Sequence, residues 1–173
     1  MTTAAPERLL QPSDEKLFRQ VRRHLVEDGE PSSLAFKALP KDNGELSVDL
    51  ESLTTAQKAC EDFLASGGDT AGSWAVTTQE CKNLGLDAYH KAKPTNPSHG
   101  YVSFKTLKND KAYRKMAGDL AELAIARGPA FLAPVSAPLA DGAQAAAVAP
   151  PAPVKETSVV TPSTTGQRQP SET

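Results

Sequence analysis

The chain has 173 residues, of which 39% are hydrophobic and only 5% aromatic, with 19 Lys and Arg against 21 Asp and Glu. That length suits one ordinary domain, and so few rings leave its core to Leu, Val and Ala. A net charge of −2 is too small to announce a nucleic-acid binder or an acidic tail. Cys60 and Cys81, the two cysteines, rule out a densely disulfide-stapled scaffold and cannot alone make a structural zinc centre. One bridge between them stays open, and both read as small hydrophobes on helices. The three histidines show no ligand spacing with them, so neither metal nor cofactor is expected. The opening residues lack the apolar stretch of a signal peptide, and no run approaches the ~20 apolar residues that cross a bilayer. A cytoplasmic protein without membrane contact is expected.

In chain order, residues 1–12 are polar and proline-punctuated and read as a flexible leader. Ser13 to Asp28 is ambiguous. Ser13 suits a helix cap, and Leu17, Val21 and Leu25 would then share one face. Glu27 and Asp28 at the negative end of that helix argue against it. The alternative is a strand, Leu17–Val21, followed by a loop; periodicity alone tilts slightly to the helix. The organising stretch is Gly29 to Leu50, where two apolar segments, Leu34–Leu39 and Leu46–Leu50, flank Pro40-Lys41-Asp42-Asn43-Gly44. Asn-Gly supplies positive φ cheaply, so this reads as a two-stranded antiparallel unit. Leu46, Val48 and Leu50 alternate with Ser47 and Asp49, giving one buried and one wet face.

Thr54 and Gln57 have capping-box spacing before a helix whose stripe is Ala56, Cys60, Phe63 and Leu64, ended by Gly67-Gly68. Ser73–Thr77 reads as a strand, and Thr77 with Glu80 as a second capping box opening a short helix over 78–84. Leu86–Tyr89 and Tyr101–Phe104 read as strands around a proline-containing loop. Asn109 caps the longest helix, with Met116, Leu120, Leu123 and Ala124 inward and Gly128-Pro129 as its stop; Ala130–Leu132 could add a closing strand. Trp74 and Val76 fall on one face of their strand, which makes Trp74 a core anchor rather than a ligand platform. From residue 133 the composition turns to Pro, Ala, Ser and Thr, as in a disordered tail over 133–173. The expected architecture is therefore α+β: one domain over residues 13–132, with a small, mostly antiparallel sheet and two or three helices. The helices at 54–66 and 109–127 are expected to cover one face of that sheet.

Three groups of residues could carry chemistry. Arg19, His24, Asp28, Ser32, Ser33, Lys41 and Asp42 gather around the expected hairpin, where an arginine and hydroxyls could hold a phosphate or ribose. The plainer reading is that Ser32 and Ser33 satisfy loop backbone and Arg19 lies on a solvated face. His99, beside Gly100 at the mouth of a strand, has the intrinsic pKa of a general base, though a loop histidine without a role is the weightier reading; His90 reads as surface. Lys105, Lys108, Lys111, Arg114 and Lys115 interleave with Tyr101, Phe104 and Tyr113 as in single-strand nucleic-acid binders, but the same spacing belongs to the wet side of an amphipathic helix.

The segments Leu17-Phe18-Arg19-Gln20-Val21, Asp28-Gly29, Ser32-Ser33-Leu34-Ala35-Phe36, Leu46-Ser47-Val48 and Trp74-Ala75-Val76-Thr77 together resemble a family of small bacterial proteins without an assigned activity, over about residues 17–128. In that family His-Pro follows the arginine segment, where Arg22-Arg23-His24 stands here. The resemblance implies a bacterial, cytoplasmic source and a strand at Leu17–Val21, and it supplies no reaction. The functional expectation is a non-enzymatic binding or accessory module with a protein partner. The alternatives are a small transferase or hydrolase acting on a nucleotide-like substrate through Arg19 and Ser32/Ser33, and nucleic-acid binding through the Lys105–Lys115 face.

Overall fold

The computed structural model of the protein describes residues 6–135. Its elements run β1 (Arg8–Leu9), β2 (Lys16–Val21), β3 (Val26–Glu27), β4 (Glu30–Pro31), β5 (Glu45–Leu50), α1 (Ala56–Ala65) and β6 (Gly72–Thr77), then α2 (Thr78–Asn83), β7 (Asp87–His90), β8 (His99–Ser103), α3 (Asp110–Arg127) and β9 (Pro129–Leu132). Seven strands form one antiparallel sheet in the order β1-β7-β8-β5-β2-β6-β9, and β3 pairs with β4 apart from it. This is the α+β architecture expected, with no helix among the described residues long and apolar enough to cross a membrane.

Residues 16–21 are a strand, against the slight tilt to a helix. Leu17, Phe18, Gln20 and Val21 are all buried, because β2 lies between β5 and β6 with cover on both faces. A strand buried on both sides loses its alternation, and Leu17 and Val21, four apart, share a face in a strand as they would in a helix.

The hairpin around Asn43-Gly44 does not form. Asn43 and Gly44 do take positive φ, 56° and 67°, but Ser33–Phe36 is a 3-10 turn rather than a strand. Ala35 and Phe36, adjacent in sequence, are both buried while Leu34 is 58% exposed, a pattern that period two cannot satisfy. The turn packs on α3, and β5 pairs instead with β2 and β8. The tight hairpin is β3–β4, turned by Asp28-Gly29 with φ of 52° and 85°, the double positive φ that such two-residue loops need.

The helices lie on opposite faces of the sheet, not one. Ser73 Oγ donates to the Ala56 carbonyl at the start of α1, so α1 covers the β6 face that carries Ser73 and Ala75. Trp74 and Val76, on the other face, join Leu17, Val21, Ala117, Leu120, Ala121 and Ala124 in one core, which puts α3 there. Thr55, not Thr54, caps α1 by accepting from Lys58 N, while Gln57 faces outward to Glu61. The Thr77–Glu80 capping box and the Asn109 cap are present as read.

The ordered unit is wider than 13–132. Arg8 and Leu9 pair with β7, and Leu10 is buried in the core, so this part of the leader belongs to the sheet. Ala133 is buried and its N–H bonds to the Ala71 carbonyl. The remainder of the expected tail, 136–173, lies outside the described residues.

Candidate functional site

β2 and β5 pair at Leu17↔Leu50 and Phe18↔Asp49 and then part. Arg19 fills the gap: its Nε donates to the Ala35 carbonyl at 2.9 Å and its Nη1 to the Ser47 carbonyl at 3.0 Å. The guanidinium thus supplies the donors that two separated backbone segments lack. Among the described residues no carboxylate is paired with it. Burial and the neighbouring Arg22 lower its pKa to about 10, against the pull of Asp42 and Asp49, so it remains charged at neutral pH.

Where the strands part, a cavity of about 490 Å³ opens between the sheet and α1, within the range of small-molecule sites. Its floor comes from three adjacent strands: Gln20 of β2, Ser47 and Asp49 of β5, and His99 of β8. Phe63 of α1 forms an apolar wall, and the loop 93–98 closes the far end. That loop is tied down by Asn96 Nδ2, which donates to Asp49 Oδ1 at 2.7 Å, by Ser98 Oγ, which donates to Asn96 Oδ1 at 2.8 Å and stands 3.3 Å from Asp49 Oδ1, and by the Pro97 carbonyl against His90 Nε2 at 2.9 Å. His90 therefore holds the loop rather than standing on open surface.

Two buried polar atoms of the floor lack a partner, Gln20 Nε2 and His99 Nε2, although both residues are more than nine-tenths buried. Leaving such an atom unpaired costs about 1–3 kcal/mol. His99 Nδ1 lies 2.9 Å from the Lys91 carbonyl. A carbonyl only accepts, so Nδ1 carries the hydrogen, and in the neutral ring Nε2 presents a lone pair. Burial lowers the His99 pKa, helped by Lys93 and Lys91; the bond to the Lys91 carbonyl and the charge of Asp49 oppose it. Gln20 is less settled by its neighbours. Ser73 Oγ faces both Gln20 Oε1 and the Ala56 carbonyl with a single proton. Turning the amide end for end would let Nε2 donate to Ser73 and leave Oε1 open. In either orientation one end of Gln20 is unsatisfied.

The depressed His99 pKa has a consequence for stability. The unfolded imidazole binds its proton near 6.5, the folded one only at lower pH, so the unfolded state takes up more protons between the two values. His99 therefore contributes stability that is present above about 6.5 and lost as pH falls toward its folded value. His99→Asn keeps a donor for the Lys91 carbonyl. Urea midpoints measured across this window should fall with pH more steeply in the wild type than in this variant; parallel curves would show that His99 titrates normally.

Of the residues singled out in the sequence, Arg19 and His99 meet at this cavity. Asp28 sits exposed in the β3–β4 turn, and Ser33, Lys41, Asp42 and His24 are exposed. Ser32 has a buried Oγ without a partner but, like these, does not line the cavity. The basic run is largely neutralised within the chain. Lys105 pairs with Glu45, Arg114 with Asp110 and Lys115 with Asp119, while Lys108 and Lys111 are exposed. Sequence reasoning missed Gln20, Asp49, Asn96 and Ser98. The available signal was the polar pair Arg19-Gln20 inside an otherwise apolar strand, which burial on both faces turns into a site.

No protein-family model, no curated protein and no solved structure matches the chain.

Proposed function

We propose that the protein is a cytoplasmic binding module whose ligand is a small polar molecule held in the cavity between β5, β8 and α1. The observation that carries this reading is the pair of buried, unpartnered atoms on the cavity floor, at Gln20 and His99. An unmet hydrogen-bonding group lowers stability until something occupies it; both atoms are closed off from solvent, so a ligand that parts the floor side chains over them would complete both. The unpaired thiols of Cys60 and Cys81 accord with a reducing compartment. An accessory role beside a protein partner is compatible with the same site, since ligand occupancy could govern docking.

A thermal-shift panel of sugars, nucleosides, amino acids and phosphorylated metabolites tests the proposal. A ligand present at about 100 times its Kd adds about 2.7 kcal/mol, worth roughly 10 °C in Tm for a domain of this size. His99→Phe should abolish the shift. A panel in which no class raises Tm, or a shift that persists unchanged in His99→Phe, would overturn it. The catalytic alternative rests on the free Nε2 of a neutral His99, which could accept a proton from a bound substrate; it requires that the ligand found by the panel be converted on incubation.

A further inference from the structure

We infer that the cavity takes a hydroxyl-rich ring, a sugar or the ribose of a nucleoside, whose adjacent hydroxyls donate to Asp49 and His99. The inference rests on the binding reading above and specifies its ligand. Asp49 and His99 are directly opposite in the β5–β8 ladder, so their side chains leave the same face with Cβ atoms ~5 Å apart. Both present acceptors. Asp49 receives Asn96 Nδ2 on Oδ1 at 2.7 Å, with Ser98 Oγ at 3.3 Å from the same oxygen, and neither contact uses Oδ2. His99 has its hydrogen committed to the Lys91 carbonyl, and its Nε2 lone pair, closed off from solvent, becomes the second acceptor when a ligand parts the side chains over it. Two neighbouring acceptors held in fixed orientation match two neighbouring O–H donors.

Asp49 on the floor disfavours a simple anion there, although Arg19, Lys58 and Lys93 also line the cavity. Lys58 in the lining is engaged by Asp62 at 2.8 Å, Arg19 donates from Nε and Nη1 to carbonyls, and the buried Asp49 carboxylate would repel a phosphate or carboxylate beside it. Phe63, across the cavity, supplies an apolar surface for the C–H face of a sugar ring. Gln20, one strand beyond β5, is placed to meet a further polar group on the same ligand.

The test is titration of the full chain, followed through the His99 ring nitrogen resonances and by calorimetry. The hydroxylated probes are adenosine, ribose and glucose; the controls are 2′,3′-dideoxyadenosine, glycine and inorganic phosphate. At least one hydroxylated probe should bind and shift Nε2. If adenosine is the binder, its dideoxy analogue should bind roughly 100-fold or more weakly, as at other sites built around substrate hydroxyls. Asp49→Asn should weaken the hydroxylated probe at least tenfold while Asn96 keeps its acceptor. The comparison of probes uses the unaltered protein and so does not depend on how that variant folds. Binding of glycine or phosphate at Nε2 without any sugar or nucleoside would leave the binding reading standing and overturn the ligand class. Equal affinity for dideoxyadenosine and adenosine would also overturn it. No response at His99 to any of the six probes would overturn the ligand class, and an accompanying failure of the wider metabolite panel would remove the binding reading as well.

Discussion

Trp74→Ala is expected to cost about 4 kcal/mol, in the range for aromatic-to-alanine changes in cores, and to lower Tm by roughly 15 °C. Trp74 is 1% exposed and belongs to the cluster that joins β2, β6 and α3. It stands opposite Arg19 in the β2–β6 ladder, and the chain's one tryptophan is among only nine aromatic residues in all, with three Tyr and five Phe. Its neighbours in that cluster are themselves buried, so the space left behind fills only if they shift from their own packing, and poor collapse is what makes such truncations expensive. Against a total stability of about 5–15 kcal/mol for a domain, the loss would leave a marginal fold. Urea denaturation with an unchanged slope and a lowered midpoint is the expected result; a loss below about 1 kcal/mol would mean that this face of the sheet does not form the core.

The same residue shows what local sequence could and could not reveal. Trp74 and Val76 alternate with Ser73 and Ala75, and that alternation correctly marks a strand with Trp74 inward. Caps are equally local, and Thr77 with Glu80 and Asn109 are found where the spacing puts them. Pairing is not local. Asp28-Gly29 and Asn43-Gly44 both adopt the double positive φ of a two-residue turn, yet only the first joins two paired strands. Their difference lies in what flanks them: Ala35 and Phe36 are drawn onto α3, more than seventy residues away in sequence. The face covered by each helix was likewise invisible, because an apolar stripe states that a helix is buried without stating against what.

The site was legible in part for the same reason. Arg19 and His99 are residue types that invite attention anywhere, and both line the cavity. Ser32 and Ser33 drew attention through closeness in sequence to Arg19, but the carbonyl that Arg19 reaches in that segment is Ala35's. Asp49 read as a member of a wet face because it alternates with Val48 and Leu50. It is buried instead, since the 93–98 loop folds over it through Asn96 and Ser98. Only the ladder that sets Asp49 opposite His99 turns the two into a pair.

Gly100→Ala tests that ladder directly and is expected to cost about 3 kcal/mol, the upper part of the overpacking range. A Cβ on Gly100 would fall 2.5 Å from Leu50 Cδ1 and 2.5 Å from the Tyr89 carbonyl oxygen. The leucine methyl could swing aside, but Leu50 is fully buried, and the carbonyl is backbone within β7. Relief therefore requires β7 and β8 to separate. His90 is the residue paired with Gly100, and Lys91 follows it, joined to His99 by a backbone bond of 3.0 Å and by the 2.9 Å contact between its carbonyl and Nδ1. Moving β7 away loosens both bonds, frees the imidazole to choose its tautomer and dissolves the fixed acceptor on the cavity floor. The variant should thus lose stability and ligand affinity together, with the His99 ring nitrogens shifting toward the averaged values of an untethered imidazole. A Gly100→Ala protein of wild-type stability, or one whose His99 resonances stay in place, would show that the close approach of β7, β8 and Leu50 does not hold the site.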